Sequence, residues 1–252
     1  MYEVVCSSGN ARLGRLKTKH GLVETPVFMP IATKGAVKHL ANHELDSDAI
    51  ISNALILYLK PGIDVIERGG GLHKFIGWDK TIFTDSGGFQ ILLPAFLRNV
   101  SEKGVLFNNP YNGKKIFLTP EDVMEIQKRL DGDVVMMLDD VPVYGNDYER
   151  IKLSMLRTHG WARRCADARG DKQLLFGICH GGIFHDLRSK SAEFINSLDI
   201  DGVALGGLCI GESMLEMLNA VKVSVSKIDQ QKPRYLMGVG SPVEVINAIG
   251  LG

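Results

Sequence analysis

The sequence predicts an α/β fold, a (β/α)8 TIM barrel, and three observations carry that expectation. Short runs that are apolar throughout, rather than alternating, recur along the chain, as parallel strands buried on both faces require. Stretches with helical spacing and helix-start signals separate them. A length of 252 residues with 45% hydrophobic content suits one barrel domain with a sizeable core.

From the N-terminus, Tyr2 to Pro30 alternates and turns at Ser8-Gly9-Asn10 and His20-Gly21, which predicts a small antiparallel cap. Strand runs then start at Val27, Ala49, Thr81, Val134, Leu174, Gly202 and Tyr235, giving seven of the eight strands of a barrel. Thr119-Pro120-Glu121-Asp122 supplies an N-cap, a first-turn proline and two acids ahead of a helix through Leu130. Asp147 to Arg169, Asp186 to Leu198, Glu212 to Lys227 and Pro242 to Ile249 have the lengths of crossover helices. Ile91 to Phe117 breaks the rhythm with Gly104, Pro110 and Asn112-Gly113, which predicts an inserted hairpin excursion after strand 3, near the catalytic end. The chain reaches Gly252 where an eighth strand would begin, so the expectation is one barrel domain over 1–252 without that strand.

Twenty-nine basic and twenty-nine acidic residues cancel, so no global field draws the chain onto nucleic acid and any such binding needs a local patch. Cys6, Cys165, Cys179 and Cys209 lie far apart, without a C-x-x-C pair or a signal peptide, and read as reduced thiols of a cytoplasmic protein. No apolar run approaches the roughly 18 residues of a membrane span. The histidines, His20, His39, His43, His73, His159, His180 and His185, lack metal-ligand spacing, and no G-x-x-x-x-G-K-S/T is present.

In a barrel the carboxyl ends of the strands face the active site. Those ends carry Asp85 and Ser86, Asp139 and Asp140, His180 with Gly181-Gly182, Gly206-Gly207, and Gly238-Val239-Gly240. Asp85 leads into Ser86-Gly87-Gly88, where the glycines clear side chains from a ligand's path. Singly, each has a plain alternative: Asp139 as a helix cap, His180 as a satisfied loop residue, each glycine pair as a tight turn. Their recurrence at successive strand ends favours a shared catalytic mouth. Gly238-Val239-Gly240-Ser241-Pro242 leads from strand to helix and offers amides to a phosphate, a reading compatible with Ser241 capping the helix.

These motifs, in their order, resemble the tRNA-guanine transglycosylases, also called queuine tRNA-ribosyltransferases. The resemblance rests on Thr25-Pro26-Val27-Phe28-Met29-Pro30, Thr33-Lys34-Gly35-Ala36-Val37-Lys38, Asn53 with Leu59-Lys60-Pro61-Gly62, and Gly71-Leu72-His73-Lys74-Phe75. Thr84-Asp85-Ser86-Gly87-Gly88-Phe89-Gln90, Leu118-Thr119-Pro120-Glu121, Met137-Leu138-Asp139-Asp140, Leu205-Gly206-Gly207-Leu208 and Tyr235-Leu236-Met237-Gly238-Val239-Gly240 extend it over nearly the whole chain. It implies exchange of a guanine in tRNA for a 7-deazaguanine, with two carboxylates flanking an extruded nucleotide. By the family pattern Asp85 is the acid/base residue beside the base and Asp139 grips the guanine edge. Ser86, Gly87, Gly88 and Phe89 line the pocket, Gly207 and Leu208 offer backbone, and Met237 closes it from below. Gly238, Val239, Gly240, Ser241, Pro242, Val243 and Glu244 would contact RNA.

This chain also departs from the pattern. His180 replaces the family's glutamine before Gly-Gly, Ile56 replaces a histidine, and Val141 stands where bacterial members usually carry cysteine. Ile210 occupies a position that is small in queuine users, which points to a small base, preQ1 or preQ0. The family's nucleophilic aspartate, on the eighth strand, and its Cys-rich zinc subdomain would both follow Gly252. No cofactor or metal is therefore expected within these residues, which alone should bind a 7-deazaguanine weakly and form no covalent RNA intermediate. The expected partners are tRNA, the 7-deazaguanine base and a homodimer mate or complementing C-terminal chain, with no membrane. The competing readings are a non-catalytic accessory subunit of a transglycosylase heterodimer and an unrelated barrel enzyme acting on a phosphorylated sugar.

Overall fold

The computed structural model describes residues 2–88, 96–142, 144–145 and 147–252. Tyr2–Ser8 (β1), Ala11–Thr18 (β2) and Gly21–Thr25 (β3) form a three-stranded antiparallel sheet. The main sheet is parallel and six-stranded, built from Ala49–Asn53 (β4), Thr81–Asp85 (β5), Val134–Met136 (β9), Leu174–Cys179 (β10), Gly202–Leu205 (β11) and Arg234–Leu236 (β12). Its order is β12-β11-β10-β9-β5-β4, so neighbours in sequence are neighbours in space. Between β5 and β9, Leu97–Ser101 (β6), Gly104–Asn108 (β7) and Lys115–Leu118 (β8) make a second antiparallel sheet, which occupies the excursion.

The strand expected at Val27 shrinks to one parallel bridge, Ile31 to Ile51, with the Ala32 amide donating to the Ile51 carbonyl at 2.7 Å. Pro26 and Pro30 supply no N–H to a ladder, which shortens any strand there. The described parallel sheet therefore has six strands and a bridge rather than seven strands.

The helices Pro120–Leu130 (α4), Tyr148–Asp167 (α5), His185–Asn196 (α6), Met214–Val225 (α7) and Pro242–Leu251 (α8) follow β8, β9, β10, β11 and β12. Side chains of Thr119, Asp147, Ser213 and Ser241 cap four of them. Three short helices, Ala54–Leu59 (α1), Ile63–Arg68 (α2) and Leu72–Ile76 (α3), have no counterpart in the sequence reading. Pro61-Gly62 and Gly69-Gly70-Gly71 divide that segment too finely for a helical period to show.

The two faces of the sheet bury different layers. One carries Ala49, Ile51, Phe83, Val134, Met136, Phe176, Ile178 and Ala204, and Leu16 and Val23 of the N-terminal sheet pack into it. The other carries Ile50, Ile82, Val135, Leu175 and Val203 against the helices, with the fully buried Trp161 of α5 among them. Burial on both faces explains the unbroken apolar runs. It also leaves the carboxyl ends as the place where polar side chains gather. Among the described residues no helix is long and apolar enough to cross a membrane.

Candidate active site

The register of the sheet builds the site. Asn53 ends β4 and pairs with Asp85, which ends β5, while Cys179 on β10 pairs with Leu205 on β11, and Leu205 with Leu236 on β12. The residues just beyond these pairs meet around a cavity of about 270 Å3 whose lining includes Asn53, Asp85, Asp139, Gly207, Leu208, Tyr235, Met237 and Gly238.

Asp85 is half-buried and receives a hydrogen bond from Asn53 Nδ2 at 3.2 Å. The Asn53 side-chain oxygen accepts from the Ile56 amide at 2.9 Å, so one side chain caps α1 and steadies the carboxylate. Burial, and after it the negative charge of Asp139, push the Asp85 carboxyl up to about 7, against the amides of Gly87 and Ser86 and the Asn53 side chain. A carboxyl poised there holds or gives up a proton near neutrality.

Asp139 is 3% exposed, and its Oδ2 lies 2.8 Å from His180 Nε2. A Cβ built on Gly88 would come within 2.5 Å of Asp139 Oδ1, so the second glycine of Gly87-Gly88 admits that carboxylate. The His180 ring lies against Gly206 and Gly207, where a Cβ on Gly207 would stand 2.6 Å from Nδ1. Gly207 has φ 63°, a left-handed conformation favouring glycine. A smaller cavity of about 140 Å3 adjoins this wall, shares Gly207 and Ile210 with the first, and is lined also by His180, Phe184 and Glu212.

Asp140 belongs elsewhere. Its buried carboxylate pairs with Arg157 and, at 3.5 Å, Arg150, and its carbonyl accepts from Ser154 Oγ at 2.5 Å. Arg157 also reaches Glu102 at 3.3 Å, in the turn between β6 and β7, so this acid ties the inserted sheet and α5 to the end of β9.

The structure thus brings Asp85, Asp139, Gly207, Leu208, Met237 and Gly238 onto one cavity, with His180 behind Asp139. Ser86, Gly87 and Gly88 lie beside it as the turn leaving β5, where Ser86 Oγ accepts from the Gly88 amide at 3.4 Å. Phe89 lies outside the described residues. Val239, Gly240, Ser241, Pro242, Val243 and Glu244 do not line the cavity. There Ser241 Oγ caps α8, and the Glu244 carboxylate accepts from the Ser241 amide at 3.3 Å. Asn53, Tyr235 and Cys209 also line the cavity, and the sequence reading assigned them no role. The signal for Asn53 in the sequence was its polar side chain at the end of the apolar run from Ala49, and the structure pairs it directly with Asp85.

At the other end of the sheet His20, His73 and Asp133 converge, their ligand-type atoms all within 4.8 Å of one another. Asp133 Oδ1 lies 2.9 Å from His20 Nδ1 and Oδ2 lies 3.0 Å from His73 Nε2, while the amides of His20 and Ile82 donate at 3.1 and 2.9 Å. The stacked rings, 3.6 Å between centroids, bind the N-terminal sheet and α3 to the start of β9. Such a gathering from three distant segments has no spacing signature.

The protein-family model described as Queuine tRNA-ribosyltransferase matches residues 6–252. A curated Queuine tRNA-ribosyltransferase of Bacillus velezensis is 47% identical over 253 residues, covering 98% of this chain and 66% of the relative. Another, of Dictyoglomus turgidum, is 45% identical over 249 residues, with 96% and 64% covered. A third, of Nitratidesulfovibrio vulgaris, is 44% identical over 257 residues, with 100% and 68% covered. The chain spans about two thirds of the length of the curated relatives it matches. With the match taking in every strand end around the cavity, the chain belongs to the queuine tRNA-ribosyltransferase family.

Proposed function

We propose that this chain carries the base-binding part of a tRNA-guanine transglycosylase, a pentosyltransferase that exchanges a guanine in tRNA for a 7-deazaguanine. The observation that carries the reading is the pair of carboxylates on one cavity, Asp85 with its proton affinity raised to about 7 and Asp139 held by His180. Guanine presents a ring N–H and an amino group on one edge, and an ionised Asp139 accepts from both. Asp85, protonated, donates to the departing base as its bond to the ribose breaks; deprotonated, it takes a proton from the incoming base as the new bond forms. A group half-protonated near neutrality suits both halves of that cycle.

The sugar is held between the two steps by a carboxylate nucleophile, as in retaining glycosidases. We assign that nucleophile, with any structural zinc, to family residues outside these 252. The tRNA approaches over the loop from Gly238 to Glu244, and a second copy or a complementing chain completes the assembly. Retention of Asp85, Asp139 and Gly207 supports an enzyme over a non-catalytic accessory subunit. Ile210, on the wall shared by the two cavities, narrows the space beside the base and favours preQ1 or preQ0 over queuine.

Calorimetry with preQ1, guanine and adenine tests the base reading. Binding of the first two and not of adenine is expected, and equal binding of adenine overturns it. Queuine binding more tightly than preQ1 overturns the assignment of Ile210. Exchange of labelled guanine in tRNA, with and without a polypeptide supplying the remaining family length, tests the reaction. Its absence in both cases, despite base binding, leaves the accessory-subunit reading standing instead.

A further inference from the structure

Arg188, on α6, is 0% exposed, and its guanidinium donates to three main-chain carbonyls. Nε donates to Gly182 at 2.6 Å, Nη1 to Cys179 at 3.3 Å and Nη2 to Gly207 at 3.2 Å. The carboxylate of Glu212 acts on the guanidinium only through space, and burial holds the Arg188 pKa below its ordinary value, so the charge is costly to keep there and stability alone does not account for it. One acceptor, Cys179, ends β10, and the other two lie on the loops that shape the cavity wall, Gly182 on the one after β10 that holds His180 and Gly207 on the one after β11.

The consequence follows from peptide geometry. In a planar trans peptide the carbonyl and the next amide point in opposite directions. Arg188 draws the Gly207 carbonyl toward α6, so the Leu208 amide of the same peptide points the other way, and both residues line the cavity. The neighbouring amides of Cys209 and Ile210 are already taken by the Glu212 carboxylate. A carbonyl bonded to a guanidinium also polarises its peptide and strengthens the amide as a donor.

We infer that Arg188 is a positioning residue for base recognition, holding the Gly207–Leu208 peptide with its N–H toward the cavity so that it donates to a carbonyl oxygen on the bound base. The inference rests on the reading of the cavity as a guanine-type base site. It adds that the oxygen next to the edge held by Asp139 is sensed through main chain fixed from behind by a residue that never touches the ligand.

The test compares 7-deazaguanine with its 6-thio analogue, which keeps the N–H edge for Asp139 and offers a poorer acceptor at the reporting position. Wild-type protein is expected to prefer the oxo base by about tenfold, the scale of one good hydrogen bond to a buried donor. Arg188→Met, which fills the volume, and Arg188→Lys, which keeps the charge but cannot span both loops, should each reduce that preference to about twofold or less. An unchanged preference in a variant that still binds overturns the inference, even where both affinities fall. Should both variants unfold, the wild-type amide spectrum decides. A downfield shift of the Leu208 amide proton with 7-deazaguanine, and a smaller one with the thio base, supports the inference; an unmoved Leu208 amide overturns it. Wild-type protein that binds neither base overturns the base-site reading itself, and the inference falls with it.

Discussion

Asp85 and Asp133 stand at opposite ends of one parallel sheet and are treated in opposite ways. Asp133 accepts from two histidine rings and two amides. Burial alone would raise its pKa, but the hydrogen bonds from His73, the Ile82 amide and His20 outweigh that and hold it below the ordinary carboxylate range. Asp85 accepts from the Asn53 side chain and the amides of Gly87 and Ser86, but burial and the like charge of Asp139 outweigh them and push it up to about 7. The same side chain is held ionised where donors outweigh burial and has its proton affinity raised where burial and a like charge outweigh the donors.

The largest effect that tests this contrast is on chemistry. With a polypeptide supplying the remaining family length, Asp85→Asn should lower the proposed tRNA base exchange by about 10²–10⁴, the scale of general acid–base catalysis, while base binding persists. Parallel loss of binding in calorimetry would instead make Asp85 a structural residue. Asp133→Ala should lower stability by about 3–5 kcal/mol in urea unfolding, because it strands several buried donors. A loss under about 1 kcal/mol would contradict that.

The contrast also fixes a pH dependence. The folded pKa of Asp85 lies above its unfolded value of 3.8, so the folded state binds more protons between 3.8 and about 7, and stability falls as pH rises through that window. Asp85→Asn should flatten that fall and leave the variant ~2 kcal/mol more stable than wild type at pH 8, allowing for the open side of the group. Urea midpoints across the window check the sign, and a variant less stable at pH 8 contradicts it. The smallest effect is expected from His180→Gln, which keeps a side-chain N–H donor for Asp139: base affinity should change about fivefold or less, as for one net hydrogen bond.

The strand ends were legible because burial on both faces forces apolar runs, and several of those runs stop at a residue that lines the cavity. Asp85, Asp139 and Gly207 could be found that way, and the helices after them announced themselves through caps such as Thr119 and Ser213. Elements whose support comes from elsewhere were hidden. The run at Val27 looks like a strand, but its flanking prolines reduce it to a bridge at Ile31. The α1–α3 segment is helical only between glycines. His20, His73 and Asp133 meet through topology, which no local pattern encodes, and Arg188 reads as an ordinary surface residue of an amphipathic helix until the glycine loops are seen around it.

Carbon-detected titration of the aspartate carboxyls measures the contrast most directly. The account predicts a midpoint near 7 for Asp85, which falls when Asp139 is replaced by Asn, and a midpoint for Asp133 below the ordinary carboxylate range. Two midpoints near the ordinary value of about 3.9, unmoved by Asp139→Asn, would contradict it.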